Sequence, residues 1–163
     1  MKNYRLVTGI ILIFALIAGN LWLYIFKPAE KVPDLIFSTT NNESFSFNKM
    51  AGKPILVTFW ASSCGVCMAD MPKLKTLHSK YTEKGLQMFS IAMPYDNEAT
   101  VQTIAKGLPF HVVLDPKAVI ANAFGKVMFT PTNFLIDPKG EIALKEVGPL
   151  NLEQIEKALQ TML

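Results

Sequence analysis

Cysteine is scarce in this chain: 163 residues hold two, Cys64 and Cys67. That scarcity excludes a small fold stapled by several disulfides. There is no second C-x-x-C, and only His78 and His111 supply imidazole, so a zinc site of about four ligands is poorly served. Met68 follows Cys67, which removes the C-x-x-C-H pattern of haem attachment. An excess of one charge is also missing. Sixteen Lys and Arg against thirteen Asp and Glu leave a formal net charge of +3. The basic residues are scattered, with no basic stripe interleaved with aromatics, which argues against nucleic acid as a partner. No internal repeat or low-complexity tract is present, so a solenoid is excluded.

Charge is absent altogether from Leu6 to Phe26, "LVTGIILIFALIAGNLWLYIF". At a rise of ~1.5 Å per residue, about 21 residues span ~30 Å of hydrocarbon. Trp22 and Tyr24 sit near its end, where aromatic side chains favour the interface. Lys2 and Arg5 would suit the basic start of a signal peptide, but the run exceeds the usual ~7–15 apolar residues and no clean A-x-A site follows. It reads as an uncleaved transmembrane anchor, with a long signal peptide cut near "ALIAGN" as the alternative. Lys2 and Arg5 on one side tie with Lys27 and Lys31 on the other, and the terminal amine tips the balance toward a cytoplasmic N-terminus. The expected organisation is a cytoplasmic N-terminus (1–5), a transmembrane anchor (6–26), a tether (27–32) and a compact domain (33–163).

Within the domain, "DLIFSTTNNESFSF" gives two short strand pieces around an Asn41-Asn42 turn. "PILVTFW" is a continuous apolar run suited to a strand buried on both faces. From Cys64 to Thr82, Met68, Met71, Leu74, Leu77 and Tyr81 recur at helical spacing, interrupted by Pro72, which should kink the helix. "LQMFSIAMP" and "FHVVLDP" read as strands. "NEATVQTIAKG" reads as a helix capped by Asn97, and "KAVIANAFG" as a short helix stopped by Gly125. "TNFLIDPKGEIALKEV" reads as a hairpin turning at "DPKG", and the chain closes on an amphipathic helix capped by Asn151. Strands alternating with helices predict a mixed α/β sheet covered on both faces.

The cysteines fall where a central strand hands over to a helix, the end of such sheets that carries chemistry. A sulfur at a helix start lies beside unpaired N–H groups and the positive end of the dipole, which favours a thiolate at Cys64. Cys67, one turn on, is placed to attack a mixed disulfide formed at Cys64. A structural staple across two residues would constrain almost nothing in the unfolded chain. The pattern therefore favours a redox pair; two soft thiolate ligands for copper are the alternative. Asp70 lies on the same helical face one turn beyond Cys67. It would either take the Cys67 proton or merely favour the helix dipole.

"PILVTFWASSCGVC", "CMADMPKL", "FTPTNFLIDPKGEI", the leading "VPDLIF" and the inserted helix at Asn97–Lys106 together resemble membrane-tethered thiol–disulfide oxidoreductases of the TlpA/ResA type, over nearly all of 33–163. The resemblance implies a thioredoxin-like fold with an N-terminal hairpin and an inserted helix, preceded by one transmembrane helix. It implies that Cys64 and Cys67 are catalytic, with Asp70 standing where the family usually has Glu. It implies that Pro131 is the cis-proline of the substrate platform, with Thr130 offering its backbone and Trp60 near the sulfurs as further substrate-binding residues. It calls for neither a cofactor nor a metal. The implied partners are oxidised exported proteins such as apocytochrome c, and a membrane electron donor of the CcdA/DsbD kind. The implied location is the cell (inner) membrane, single-pass, with the catalytic domain on the periplasmic or extracytoplasmic side. The chain departs from the pattern at Thr58, where thioredoxin keeps a buried acid, at Ser63, where Trp is frequent, and at Phe129, where Gly is common. The rival functions are a copper-binding module or metallochaperone, which would want a wider cysteine spacing and a dedicated His, and an interaction domain with inactive cysteines.

Overall fold

The computed structural model describes residues 3–25 and 30–163. Its centre is β3 (Ile55–Trp60), every residue of which is buried, as its unbroken apolar run requires. Around it the sheet has the order β5 (His111–Leu114), β4 (Gln87–Ala92), β3, β6 (Thr132–Ile136), β7 (Ile142–Val147). The β3–β4 and β4–β5 pairs are parallel, and the β3–β6 and β6–β7 pairs are antiparallel. A separate two-stranded hairpin, β1 (Ile36–Ser38) with β2 (Ser44–Ser46), turns at the expected asparagines.

Alternation along β3 sends Leu56 and Trp60 to one face and Ile55, Val57 and Phe59 to the other. The first face is covered by α2 (Gly65–Tyr81), α3 (Glu98–Ala105) and α5 (Leu152–Leu159), through Met71, Leu74, Leu77, Val101, Ile155 and Leu159. The second is covered by the hairpin and α4 (Val119–Ala123), in a core dominated by Phe37, Phe47, Phe59, Phe89, Phe124 and Phe134. The mixed thioredoxin-like sheet with helices on both faces is thus as expected.

Local signals act where the sequence put them. Asn97 Oδ1 accepts the Thr100 N–H at 3.0 Å and Asn151 Oδ1 accepts that of Gln154 at 3.2 Å, each satisfying an orphan donor at a helix start. Asp137 Oδ1 accepts from the backbone N–H of Lys139 and of Glu141, and Gly140 takes a φ of 78° to close the turn. Helix α2 runs through Pro72 without ending. Helix α4 is shorter than expected because Ala118 adopts a left-handed φ of 53° and delays its start.

The N-terminal segment is helical over Asn3–Ile25, here α1. Among the described residues no helix is long and apolar enough to cross a membrane. Residues 1–2, at the expected cytoplasmic N-terminus, and 26–29, which hold the last anchor residue and half of the expected tether, lie outside the described residues. Residues 30–32 belong to the domain: Val32 donates to the Gly140 carbonyl at 2.9 Å, and Ile142 donates to the Glu30 carbonyl at 2.7 Å.

A polar row crosses the α2 face of the sheet in register: Ser90, Thr58, Asn133 and Glu146. Thr58 Oγ1 donates to Asn133 Oδ1 at 2.9 Å with both residues buried. Thr58→Val keeps the shape and strands that amide oxygen, so stability should fall by about 1–3 kcal/mol. Urea unfolding with an unchanged slope measures it. A loss below about 0.5 kcal/mol, the range of an ordinary surface change, would show that this bond is not a structural tie.

Candidate active site

Strand β3 delivers Trp60 to the edge of the sheet, and the chain turns through Ala61–Ser63 into α2. Two carboxylates hold this turn and the helix that follows. Asp96 accepts from the Ser62 N–H at 2.6 Å and from the Ser62 hydroxyl at 2.5 Å, tying the turn to the loop before α3. Asp70, buried on α2, accepts from Lys73 Nζ at 2.7 Å through Oδ1 and from the Leu150 N–H at 2.7 Å through Oδ2. The second bond draws the segment before α5 onto the helix that carries the cysteines.

Cys64 and Cys67 are joined in a disulfide, with Cα atoms 5.2 Å apart. Cys64 is the N-cap of α2: its φ and ψ are −86° and 101°, and its sulfur accepts the Cys67 N–H at 3.1 Å. That donor is one of the four N–H groups a helix start leaves unpaired, so the same contact that caps the helix stabilises negative charge on the sulfur after reduction. The two sulfurs differ in access. Cys64 is half-buried, while Cys67 is 2 % exposed and packs among Trp60, Met71 and the rest of the α2-side core.

Facing them is the loop into β6. The Thr130-Pro131 bond is cis, and the Thr130 carbonyl oxygen lies 3.7 Å from Cys64 Sγ. The Thr132 hydroxyl donates to the Phe129 carbonyl at 2.7 Å, and the Gly148 N–H donates to the Pro131 carbonyl at 2.8 Å. Asn133 Nδ2 reaches the Gly148 carbonyl at 3.4 Å. The loop is held from both sides, and its backbone presents a fixed edge beside the accessible sulfur.

Cys64, Cys67, Thr130 and Pro131 therefore converge. Asp70 lies one turn past Cys67 with both oxygens engaged. Trp60 does not share the accessible surface expected of a substrate-binding residue. It is fully enclosed, because β3 is covered on both faces up to its last residue, and it backs Cys67 from the core. Its Nε1, with Ser90 Oγ and Glu146 Oε2, is buried without a hydrogen-bond partner among the described residues. Asp96 and Ser62 carried no sequence signal, since their contact joins positions 34 residues apart.

The histidines are taken up elsewhere. His111 stacks on Phe89 and its Nδ1 lies 3.3 Å from Glu43. His78 sits near Phe110, and burial, with a smaller contribution from His111, pushes its pKa below the usual value. Among the described residues no group of three or more His, Cys, Asp or Glu side chains is placed to hold a metal ion.

The Redoxin family matches residues 27–162. A thiol-disulfide oxidoreductase ResA of Bacillus cereus is 28% identical, with 98% of each chain covered. A putative thioredoxin from Neisseria meningitidis superposes with a TM-score of 0.76 at 30% identity, covering 82% of this chain and 90% of that one. A putative thiol:disulfide interchange protein DsbE from Chlorobium tepidum gives 0.72 at 27% identity, covering 82% and 96%. With a match that takes in the whole of the sheet, the dithiol and the cis-proline loop, the chain belongs to the Redoxin family.

Proposed function

We infer that the chain is a thiol–disulfide oxidoreductase that works as a membrane-tethered reductant outside the cytoplasm. One observation carries the chemistry: a half-buried sulfur caps a helix, is bonded to an enclosed sulfur, and lies 3.7 Å from the cis-proline loop. In the reduced protein, the Cys64 thiolate attacks one sulfur of a substrate disulfide. The substrate S–S bond breaks, and the departing sulfur takes a proton. Cys67 then loses its proton and attacks Cys64 Sγ, releasing the second substrate thiol and closing the Cys64–Cys67 disulfide. Two electrons pass from the dithiol to the substrate, and a dithiol donor returns them. The names of the relatives support thiol–disulfide exchange with protein disulfides. The reductant direction is supported by the absence of a histidine between the cysteines, where Gly65 and Val66 stand. An exported substrate such as apocytochrome c, and a donor of the CcdA/DsbD kind, extend the reading to its setting.

The copper-binding alternative would use the same two cysteines as soft ligands, and the dedicated His expected of such a site does not join them among the described residues. The redox reading tests directly. Reduced protein should cleave a protein disulfide, Cys64→Ser should abolish the reaction, and Cys67→Ser should accumulate a mixed disulfide on Cys64, seen by mass spectrometry. Accumulation on Cys67 in the Cys64→Ser variant would reverse the assignment.

The anchor is proposed from the uncharged run Leu6–Phe26 in the sequence. Alkaline phosphatase fused after Lys31 should be active. Activity of a cytoplasmic reporter at the same position would place the domain on the other side, and a mature protein beginning after residue 19 would replace the anchor by a cleaved leader.

Asp70 is assigned the proton of Cys67. Its place one turn on and its burial support this, with its two oxygens held by Lys73 Nζ and the Leu150 N–H. Asp70→Asn retains an oxygen for the Leu150 N–H but removes the base. Resolution of a Cys64 mixed disulfide should then slow by about 10²-fold or more, followed by rapid quench. A rate within about threefold of wild type, together with a stability loss only in Asp70→Ala, would leave Asp70 as a clamp on Leu150.

A further inference from the structure

We propose that Asp96, outside the dithiol motif, is a positioning residue for the exchange at Cys64: it braces the turn that presents the sulfur, and its uncompensated negative charge opposes the thiolate there, which makes the dithiol a better reductant. The proposal rests on the reading of Cys64 as the attacking sulfur of a reductant, and it names what sets the direction of that exchange. The Asp96 carboxylate has three donors. Oδ2 accepts from the Ser62 N–H at 2.6 Å, and Oδ1 accepts from the Ser62 hydroxyl at 2.5 Å and from the Asn97 N–H at 2.8 Å. All three are neutral. The ion pairs among the described residues are Lys73–Asp70, Lys80–Glu156 and His111–Glu43, so Asp70 on α2 has a cation beside it and Asp96 has none. The loop that carries Asp96 is fixed to the end of β3. The Met93 N–H donates to the Trp60 carbonyl at 2.9 Å, and the Asp96 N–H to the Met93 carbonyl at 3.0 Å. In the same loop the Tyr95 hydroxyl lies 3.5 Å from Thr130 Oγ1. The loop therefore meets both walls of the site, the turn before Cys64 and the cis-proline loop, and Asp96 is the one acidic or basic residue in its sequence "MPYDN".

Two influences of opposite sign meet at Cys64. The Cys67 N–H, 3.1 Å from the sulfur, and the positive end of the helix favour a thiolate. A carboxylate nearby favours the thiol through like-charge repulsion. Ser62 stands two residues before Cys64, and two residues of chain span at most ~7 Å. Like charges on the order of 10 Å apart near a protein surface still shift a protonation equilibrium by about threefold or more. On the other side of the sulfur, Thr130 and Pro131 carry no charge that would offset this. The balance decides direction. A less favoured thiolate makes the reduced protein less stable relative to the disulfide, so the electron pair leaves the dithiol more readily.

The test uses the full chain carrying Cys67→Ser, which leaves one thiol and keeps the backbone donor at position 67. The rate of alkylation by iodoacetamide against pH gives the Cys64 titration. Asp96→Asn preserves the brace: its amide oxygen takes the Ser62 N–H, and its amide nitrogen donates to the Ser62 hydroxyl, which turns to accept. The Asn97 N–H, on an exposed residue, passes to water. Cys64 should then titrate at lower pH, with the thiolate fraction below the midpoint raised about threefold or more. Added salt should shrink that difference. Asp96→Glu, which keeps the charge, should stay within about twofold of the parent. With both cysteines present, Asp96→Asn equilibrated against glutathione should hold about twofold or more dithiol over disulfide than wild type. A Cys64 titration that is unchanged or moved to higher pH in Asp96→Asn overturns the proposal, as does an equal shift in Asp96→Glu or an unchanged glutathione equilibrium. Failure of reduced wild type to cleave the small disulfide of dithiobis(nitrobenzoate) overturns the thiol–disulfide reading instead.

Discussion

The contact between the Cys64 sulfur and the Cys67 N–H organises the site. It is a helix cap, so it exists because α2 begins where β3 has run out of sheet. Moving the start of the helix by one residue would take Cys64 off the cap and Cys67 out of the core. The strand fixes that start by being buried on both faces to its last residue. The cap contact favours charge on one sulfur only, and burial protects the other. The helix-cap contact of one sulfur and the enclosure of the other thus follow from a single hand-over between two elements.

Two carboxylates keep this hand-over in place from a distance. Asp96 holds the turn before the helix, and Asp70 holds the segment that leads into α5. The second tie extends further: Gly148, two residues before Leu150, bonds the carbonyl of Pro131. Helix, closing segment and cis-proline loop are joined in one hydrogen-bonded series beside the disulfide. Each member is a charged or backbone group, so a change in one is felt through bonds that have few substitutes in a dry environment.

Much of the fold was legible in the sequence because its signals are local. The apolar run of β3, the caps at Asn97 and Asn151, and the "DPKG" turn each act within a few residues of themselves. The dithiol was legible for the same reason, since its meaning lies in a short spacing and a position between strand and helix. Pro131 became legible only through the resemblance of the surrounding motif. What stayed hidden joins distant positions: Thr58 with Asn133 across 75 residues, Asp70 with Leu150 across 80, and Ser62 with Asp96. No periodicity encodes such pairs. Trp60 came from the resemblance as a residue near the sulfurs; that it is enclosed behind Cys67 was not legible, because a motif does not reveal how much covers a strand residue. The left-handed Ala118 likewise carries no compositional mark.

The entry of the chain into the domain has a geometric consequence. Glu30 and Val32 pair with Ile142 and Gly140, at the start of β7. The cis-proline loop is fastened at the other end of the same strand, where Val147 stands opposite Thr132. The six-residue strand separates the two ends by five extended steps, about 17 Å. The edge strand therefore works as a spacer: the point at which the polypeptide arrives and the point at which thiol–disulfide exchange takes place lie at opposite poles of the sheet.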